Sequence, residues 1–194
     1  MESKVSVDDK AEKWIKHYSS SHKILLVGKG DFSFSACLTE AFGSASNMVA
    51  TFLDSKETLG EKHPTAVTNL KKLEDYGCNI VRGLVAYPMS QHPLLNLKTF
   101  DRIVFNFPHA GFLLSKHSKL LTKGGEVHVT HKTAHPFSMW EIEKLAKEAG
   151  LHLVEEVYFT TRDYSGYENK RGYGYRSNDT FPVRQRSTFK FYKR

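Results

Sequence analysis

The chain has 194 residues, 28 Lys or Arg against 21 Asp or Glu, a formal net charge of +7 and 40 % hydrophobic side chains. That length and apolar content fit one globular domain with a real core and exclude wholesale disorder. Two cysteines, Cys37 and Cys78, are too few for a disulfide-stapled secreted scaffold or a four-cysteine zinc site, and no apolar run is long enough to span a membrane. Met1 to Lys13 lacks the apolar h-region of a signal peptide, so a reducing compartment is expected.

Asp8 to Tyr18 carries Ala11, Trp14, Ile15 and Tyr18 at the spacing of one apolar helix face, so residues 1–20 read as an N-terminal amphipathic extension ahead of a domain over 21–194. Lys23–Val27 is a nearly all-apolar run, the signature of a strand buried on both sides of a parallel sheet. Gly28 to Asp31 make a turn, and Ser33 to Phe42 read as a helix with Phe34, Leu38 and Phe42 on one side. Asn47–Leu53 is a second strand ending at Asp54. Lys56 to Tyr76 is helical, broken near Pro64 and stopped by Gly77. Further strands are expected over Asn79–Val85, Phe100–Phe105 and Glu126–Thr130, with a helix over Leu113–Leu121 ended by Gly124 and Gly125. A helix over Ser138–Ala149 precedes two closing strands, Leu151–Thr160 and Ser187–Tyr192. Short strands alternating with helices predict an α/β fold with a doubly wound, mostly parallel, seven-stranded sheet. The two last strands, with no helix between them, read as an antiparallel hairpin at the sheet edge. That ending is the Rossmann-like class I methyltransferase layout and separates it from NAD-binding folds.

Ligands of such sheets sit beyond the carboxyl ends of the strands, where strand order reverses. The first strand is followed by Gly28-Lys29-Gly30-Asp31, a turn that lets a ligand lie against the backbone. The third glycine of the dinucleotide fingerprint is missing, and so is the phosphate loop of ATPases. Asp54, at the end of the second strand, suits both hydroxyls of a ribose, or else an N-cap for the helix near Lys56. Asp31 suits a helix cap and a pocket wall, with Phe32 beside it. An acid there disfavours a pyrophosphate and favours S-adenosylmethionine, whose sulfonium is cationic.

The fourth strand ends in Asn106-Phe107-Pro108-His109-Ala110-Gly111. A polar residue, an aromatic and a proline there form a rigid loop at a pocket mouth, as in amino-methylating enzymes. Asn106 would hold the edge of a target base, Phe107 would stack or pack, and Pro108 would fix the backbone. His109 would accept a proton or cap the next helix. His128 and His131 differ by three and so point to opposite faces of a strand, which argues against a metal site. Trp140 reads as core.

From Lys170 to Arg194 there are eight Lys or Arg against one acid, Asp179. Upstream and within this stretch, Tyr164, Tyr167, Tyr173 and Tyr175 alternate with Lys170, Arg171 and Arg176. Tyrosines stack on bases and cations meet phosphates, so this loop reads as RNA-binding, with a plain hairpin connection as the other reading.

Val27 to Ser35 (VGKGDFSFS), Phe105 to Gly111 (FNFPHAG), Lys170 to Tyr173 (KRGY) and Ser187 to Phe191 (STFKF) resemble, in order, the signatures of the eukaryotic 25S rRNA (uridine-N3)-methyltransferase-like Rossmann-fold domain family, plant members in particular. The resemblance covers roughly residues 20–192. It implies S-adenosylmethionine over Gly28, Gly30 and Asp54, a uridine presented near Asn106–His109, and ribosomal RNA or a pre-ribosomal particle as partner. It implies a nuclear, nucleolar location, with the cytoplasm as the alternative. The family usually has an acid where Lys29 stands and another where Val85 stands. Those departures carry a second reading, a weak or inactive paralogue that binds RNA or ribonucleoprotein.

Overall fold

The computed structural model describes residues 11–28, 30–52, 56–82, 89–108, 117–171 and 175–193. Seven strands form one sheet: β3 (Ile24–Val27), β4 (Met48–Phe52), β5 (Asn79–Arg82), β6 (Phe100–Asn106), β7 (Leu121–Lys132), β8 (Leu151–Tyr158) and β9 (Arg186–Lys193). Their order across the sheet is β5-β4-β3-β6-β7-β9-β8. Neighbours pair in parallel from β5 to β7, and β9 runs antiparallel between β7 and β8. The expected doubly wound sheet with its terminal hairpin is therefore the observed fold.

Alternate residues of the strands divide between two cores, as the two-residue strand period requires. Ile24, Leu26, Met48, Ala50, Phe52 and Val104 face α1 (Ser33–Phe42) and α3 (Pro64–Asp75) through Phe34, Leu38, Leu70 and Leu73. Leu25, Val49, Ile103, Phe105, Val127 and Val129 face the other way, toward Ile142 and Ala146 of α4 (Ile142–Glu148). Each fully buried Leu, Ile or Phe stabilises the fold by about 1.5–3 kcal/mol, which ties both helical layers to one sheet.

The helix expected over Lys56–Tyr76 is two helices, α2 (Lys56–Lys62) and α3, parted at His63 with Pro64 opening the second. Three other expectations are corrected. Residues 14–19 form a small hairpin, β1 (Trp14–Ile15) and β2 (Tyr18–Ser19), rather than the helix expected over Asp8–Tyr18, whose residues 8–10 lie outside the described residues. Lys16 turns the chain at φ 54°, and Tyr18 is drawn into the core at 1 % exposure. Leu121 begins β7 rather than ending a helix, and β7 continues through both glycines. Gly125 lies so close to the Phe100 carbonyl that a Cβ would stand 2.8 Å from it, so a side chain there would break the pairing with β6. Residues 113–116 of that expected helix lie outside the described residues. The helix expected over Ser138–Ala149 is a 3-10 turn (Phe137–Trp140) followed by α4, with Glu141 at φ 45° between them. Trp140 packs its ring 4.7 Å from His131.

His128 and His131 do point to opposite faces. His131 meets Trp140, whereas His128 lies among Tyr18, His17 and Glu126. His128 Nε2 is 2.8 Å from Glu126 Oε2 and Nδ1 is 3.3 Å from the Tyr18 hydroxyl. A carboxylate only accepts, so His128 donates from Nε2 and receives the Tyr18 proton at Nδ1. Burial holds His128 down at about 4 and His17 at about 3. The hydrogen bond from His128 keeps the Glu126 carboxyl below its usual range.

These histidines are neutral in the fold but take protons when unfolded below about pH 6.5. Stability should fall as pH drops from about 6.5 toward about 4, by an amount on the order of 2 kcal/mol. Urea midpoints measured across that window should show the loss, and His128→Gln should reduce it while leaving the part due to His17. Glu126 stabilises the fold above its ordinary pKa and loses that contribution only as pH falls below it, so its loss comes later in the titration.

Candidate active site

A cleft opens at the carboxyl ends of β3 and β6, where strand order reverses. Leu26, Thr51 and Val104 form its floor, and Gly28, Gly30, Phe32 and Asn106 are among the residues at its rim. Two aromatic residues in the left-handed backbone region flank it, Phe32 after β3 at φ 61° and Phe107 after β6 at φ 51°. Such a conformation costs a non-glycine residue about 1–3 kcal/mol and persists only where surrounding contacts impose it. Phe32 is held edge-on against Phe52, with ring centroids 5.3 Å apart. Phe107 is held edge-on against Phe159 and Phe181 at 5.8 and 5.3 Å, and its amide donates to the Thr130 carbonyl at 2.8 Å.

The glycines do different work. Gly30 has φ 143°, a backbone that side-chain-bearing residues rarely adopt. A Cβ on Gly28 would meet no atom of the described residues within 4 Å, so its missing side chain leaves open space in the cleft. Asp31 is 3 % exposed and both of its carboxylate oxygens are engaged. Oδ1 accepts from the Ser33 amide at 3.0 Å and Oδ2 from the Thr65 hydroxyl at 3.0 Å, while Asn69 donates to the Asp31 carbonyl at 2.7 Å. Asp31 lines the cleft and bonds the first amide of α1, although the N-cap position itself is Phe32, and it is also the pin that fastens the glycine turn to α3. Thr65 and Asn69 gave no sign of this in the sequence, because they act from 34 and 38 residues away.

The tail loop closes one side. Ser33 Oγ accepts from the Glu168 amide at 3.0 Å and donates to the Glu168 carbonyl at 3.2 Å. Tyr164 and Tyr167 pack on Phe34 and Phe159, so they belong to the core rather than to a base-stacking surface. Burial pushes both phenols well above their ordinary value. Tyr175 is 99 % exposed.

Lys170, expected among the RNA contacts, instead lines the cleft. Its side chain is 9 % exposed, and its ammonium lies 2.6 Å from the Glu168 carboxylate, which is 53 % exposed. Arg171 is exposed, whereas Arg176 is paired with Asp179 at 2.5 Å. Asn106 and Phe107 line the cleft, and Pro108 follows them in the chain. The Asn106 Oδ1 atom is buried with no hydrogen-bond partner among the described residues. Lys29, Asp54, Val85, His109 and Tyr173 lie outside the described residues. No group of three metal-binding side chains occurs among the described residues.

Residues 25–119 and 111–171 match the BMT5-like family, described as rRNA (uridine-N3-)-methyltransferase BTM5-like. The chain is 47 % identical to protein At4g26485 of Arabidopsis thaliana, over 93 % of this chain and 97 % of that one. It is 46 % identical to heavy metal-associated isoprenylated plant protein 41 of A. thaliana over 95 % of this chain, but spans only 39 % of that protein's length. Among solved structures, the 30S ribosomal A1408 methyltransferase from an uncultured bacterium superposes with a TM-score of 0.56, over 90 % of this chain and 88 % of that one. At 13 % identity, that likeness shows a shared fold and nothing finer.

The hydroxyl of Thr65 satisfies one oxygen of a buried carboxylate. Thr65→Val should therefore destabilise the protein by about 1–2 kcal/mol, read as a lower urea midpoint at unchanged slope.

Proposed function

Since the chain belongs to the BMT5-like family, whose description is that of an RNA methyltransferase, we propose that it transfers a methyl group from S-adenosylmethionine to N3 of a uridine in large-subunit ribosomal RNA. The observation that carries this reading is the buried Oδ1 of Asn106 in the cleft, which has no hydrogen-bond partner among the described residues. A buried acceptor without a donor costs about 1–3 kcal/mol, which is recovered when a ligand N–H arrives. The N3–H of an incoming uracil is such a donor until that proton is removed, and Asn106 lines the same cleft as the glycine turn proposed to hold the methyl donor.

The residues present fit the donor. When bound, S-adenosylmethionine supplies an electrophilic methyl carbon on a sulfonium. Gly28 leaves open space for it, and the apolar floor of Leu26 and Val104 excludes water. Lys170 and Glu168 offer opposite charges to its zwitterionic amino-acid end. Asp54 remains the proposed partner of its ribose. On the acceptor side, Asn106 orients the N3 edge and Phe107 walls the mouth. His109 is the proposed acceptor of the N3 proton, which must leave before the nitrogen becomes a good nucleophile. Much of the rate then comes from positioning. Flipping the base out of any helix is part of the same task. A nucleolar location follows from this substrate.

Calorimetric titration with S-adenosylhomocysteine tests the donor half. Micromolar binding is expected, and absence of binding to the folded protein up to millimolar concentration would overturn it. Gly28→Val should leave the thermal midpoint unchanged and weaken that binding, because its side chain enters ligand space alone. Asn106→Ala should retain the binding and lower methylation of uridine-containing RNA roughly 100-fold, measured by mass spectrometry of the digested product.

A further inference from the structure

The cleft mouth continues into a cationic shelf that the proposed chemistry does not use. Asn106 of β6 pairs with Thr130 of β7, and Lys132 lies two residues further along the same strand. Strand spacing puts Lys132 about 8 Å from Asn106 between Cα atoms, on the same face of the sheet. The Lys132 ammonium sits between two aromatic rings, 4.5 Å from the centre of Phe137 and 4.5 Å from that of Phe181. Phe181 is the ring that also braces Phe107, so one aromatic residue links the base-holding loop to the lysine.

Two more cations join it. Lys170 bridges to Thr180, which puts Arg171 beside the start of the Phe181 segment. The Gln185 carbonyl accepts from the Thr133 amide at 3.0 Å, which puts Arg184 beside the end of β7. Lys132 has its pKa lowered by burial first and then by Arg171 and Arg184, the effect expected of three cations sharing one place. Arg171 and Arg184 are exposed, and none of the three has a carboxylate partner among the described residues. Like charges gathered without counter-ions repel one another, and a polyanion relieves that repulsion. The rings fix the lysine in place rather than leaving it to sweep solvent.

We propose that Lys132, Arg171 and Arg184 bind the backbone phosphates flanking the nucleotide presented to Asn106, with Phe181 as the wall between base pocket and phosphate track. The partner is single-stranded RNA, because a separation of one nucleotide's reach from the pocket matches a strand whose target base has left the stack. This rests on Asn106 being the seat of the target base. It assigns RNA contact to Lys132 and Arg184, and leaves Lys170 to the donor cleft.

The test is the salt dependence of binding to a fluorescein-labelled, uridine-containing single-stranded RNA, read by anisotropy. Lys132→Gln, Arg171→Gln and Arg184→Gln together should reduce the slope of log K against log salt by about 2, or about 0.7 for each phosphate no longer neutralised. S-adenosylhomocysteine affinity and the thermal midpoint should not change. Lys119→Gln with Lys123→Gln, at the opposite end of β7, should leave the slope unaltered. A wild-type slope in the folded triple variant would overturn the assignment, as would tighter binding of poly-glutamate than of RNA, which would point to an acidic protein. Loss of the slope in the triple variant of a protein that binds no S-adenosylhomocysteine would support the phosphate track while removing the donor reading.

Discussion

β3 and β6 lie side by side and parallel at the centre of the sheet, yet the chain leaves them in different directions. After β3 it turns to α1 on one face; after β6, the next described buried residues, including Leu120, pack on the opposite face. Adjacent strand ends whose following segments pack on opposite faces of the sheet leave a crevice between them. Everything that gives this protein a site is a consequence of that divergence. Phe32 and Phe107 hold strained backbone on its two sides, and each is braced by aromatic neighbours rather than by the loop itself.

Rigidity of the cleft comes from charge as much as from packing. The Asp31 carboxylate is buried, and a buried anion must be fully hydrogen-bonded to be tolerated. Its partners come from α1 and α3, so the glycine turn inherits the stiffness of two helices. Ser33 then clasps the Glu168 backbone and brings the far end of the chain to the same turn. The Lys170–Glu168 pair is carried there by that clasp. A local sequence signature and a remote one thereby become two walls of one cleft.

The sheet changes character along its width. Under α1 and α3 the face is apolar. Toward β7 and β9 it turns polar, with His128, Thr130 and Thr188 buried on the side that the N-terminal hairpin helps to cover. Tyr18 makes that cover possible, since its ring packs on Phe34 while its hydroxyl serves His128. A helix over residues 8–18 would satisfy the apolar spacing but would not deliver that hydroxyl. The polar patch therefore decides between two local conformations that sequence periodicity alone leaves close in energy.

The strand–helix alternation, the glycine turn, Asp31 at the start of α1, and Asn106 with Phe107 at the cleft were legible from the sequence, because each depends on residues within a few positions of one another. The α1 limits are those the sequence predicts, since Gly43 supplies the left-handed stop at φ 70°. The hairpin at 14–19, the strand running through Gly124 and Gly125, and the break at Glu141 were not legible. There the local preference yields to a contact made across the fold: Tyr18 to His128, Gly125 to the Phe100 carbonyl, Trp140 to His131. The same holds for the site. Composition and spacing identify a basic, aromatic tail but cannot say which lysine is turned inward. Burial of Lys170 against Glu168, and the meeting of Lys132 with Phe181, depend on which strand ends lie together, and tertiary structure alone decides that.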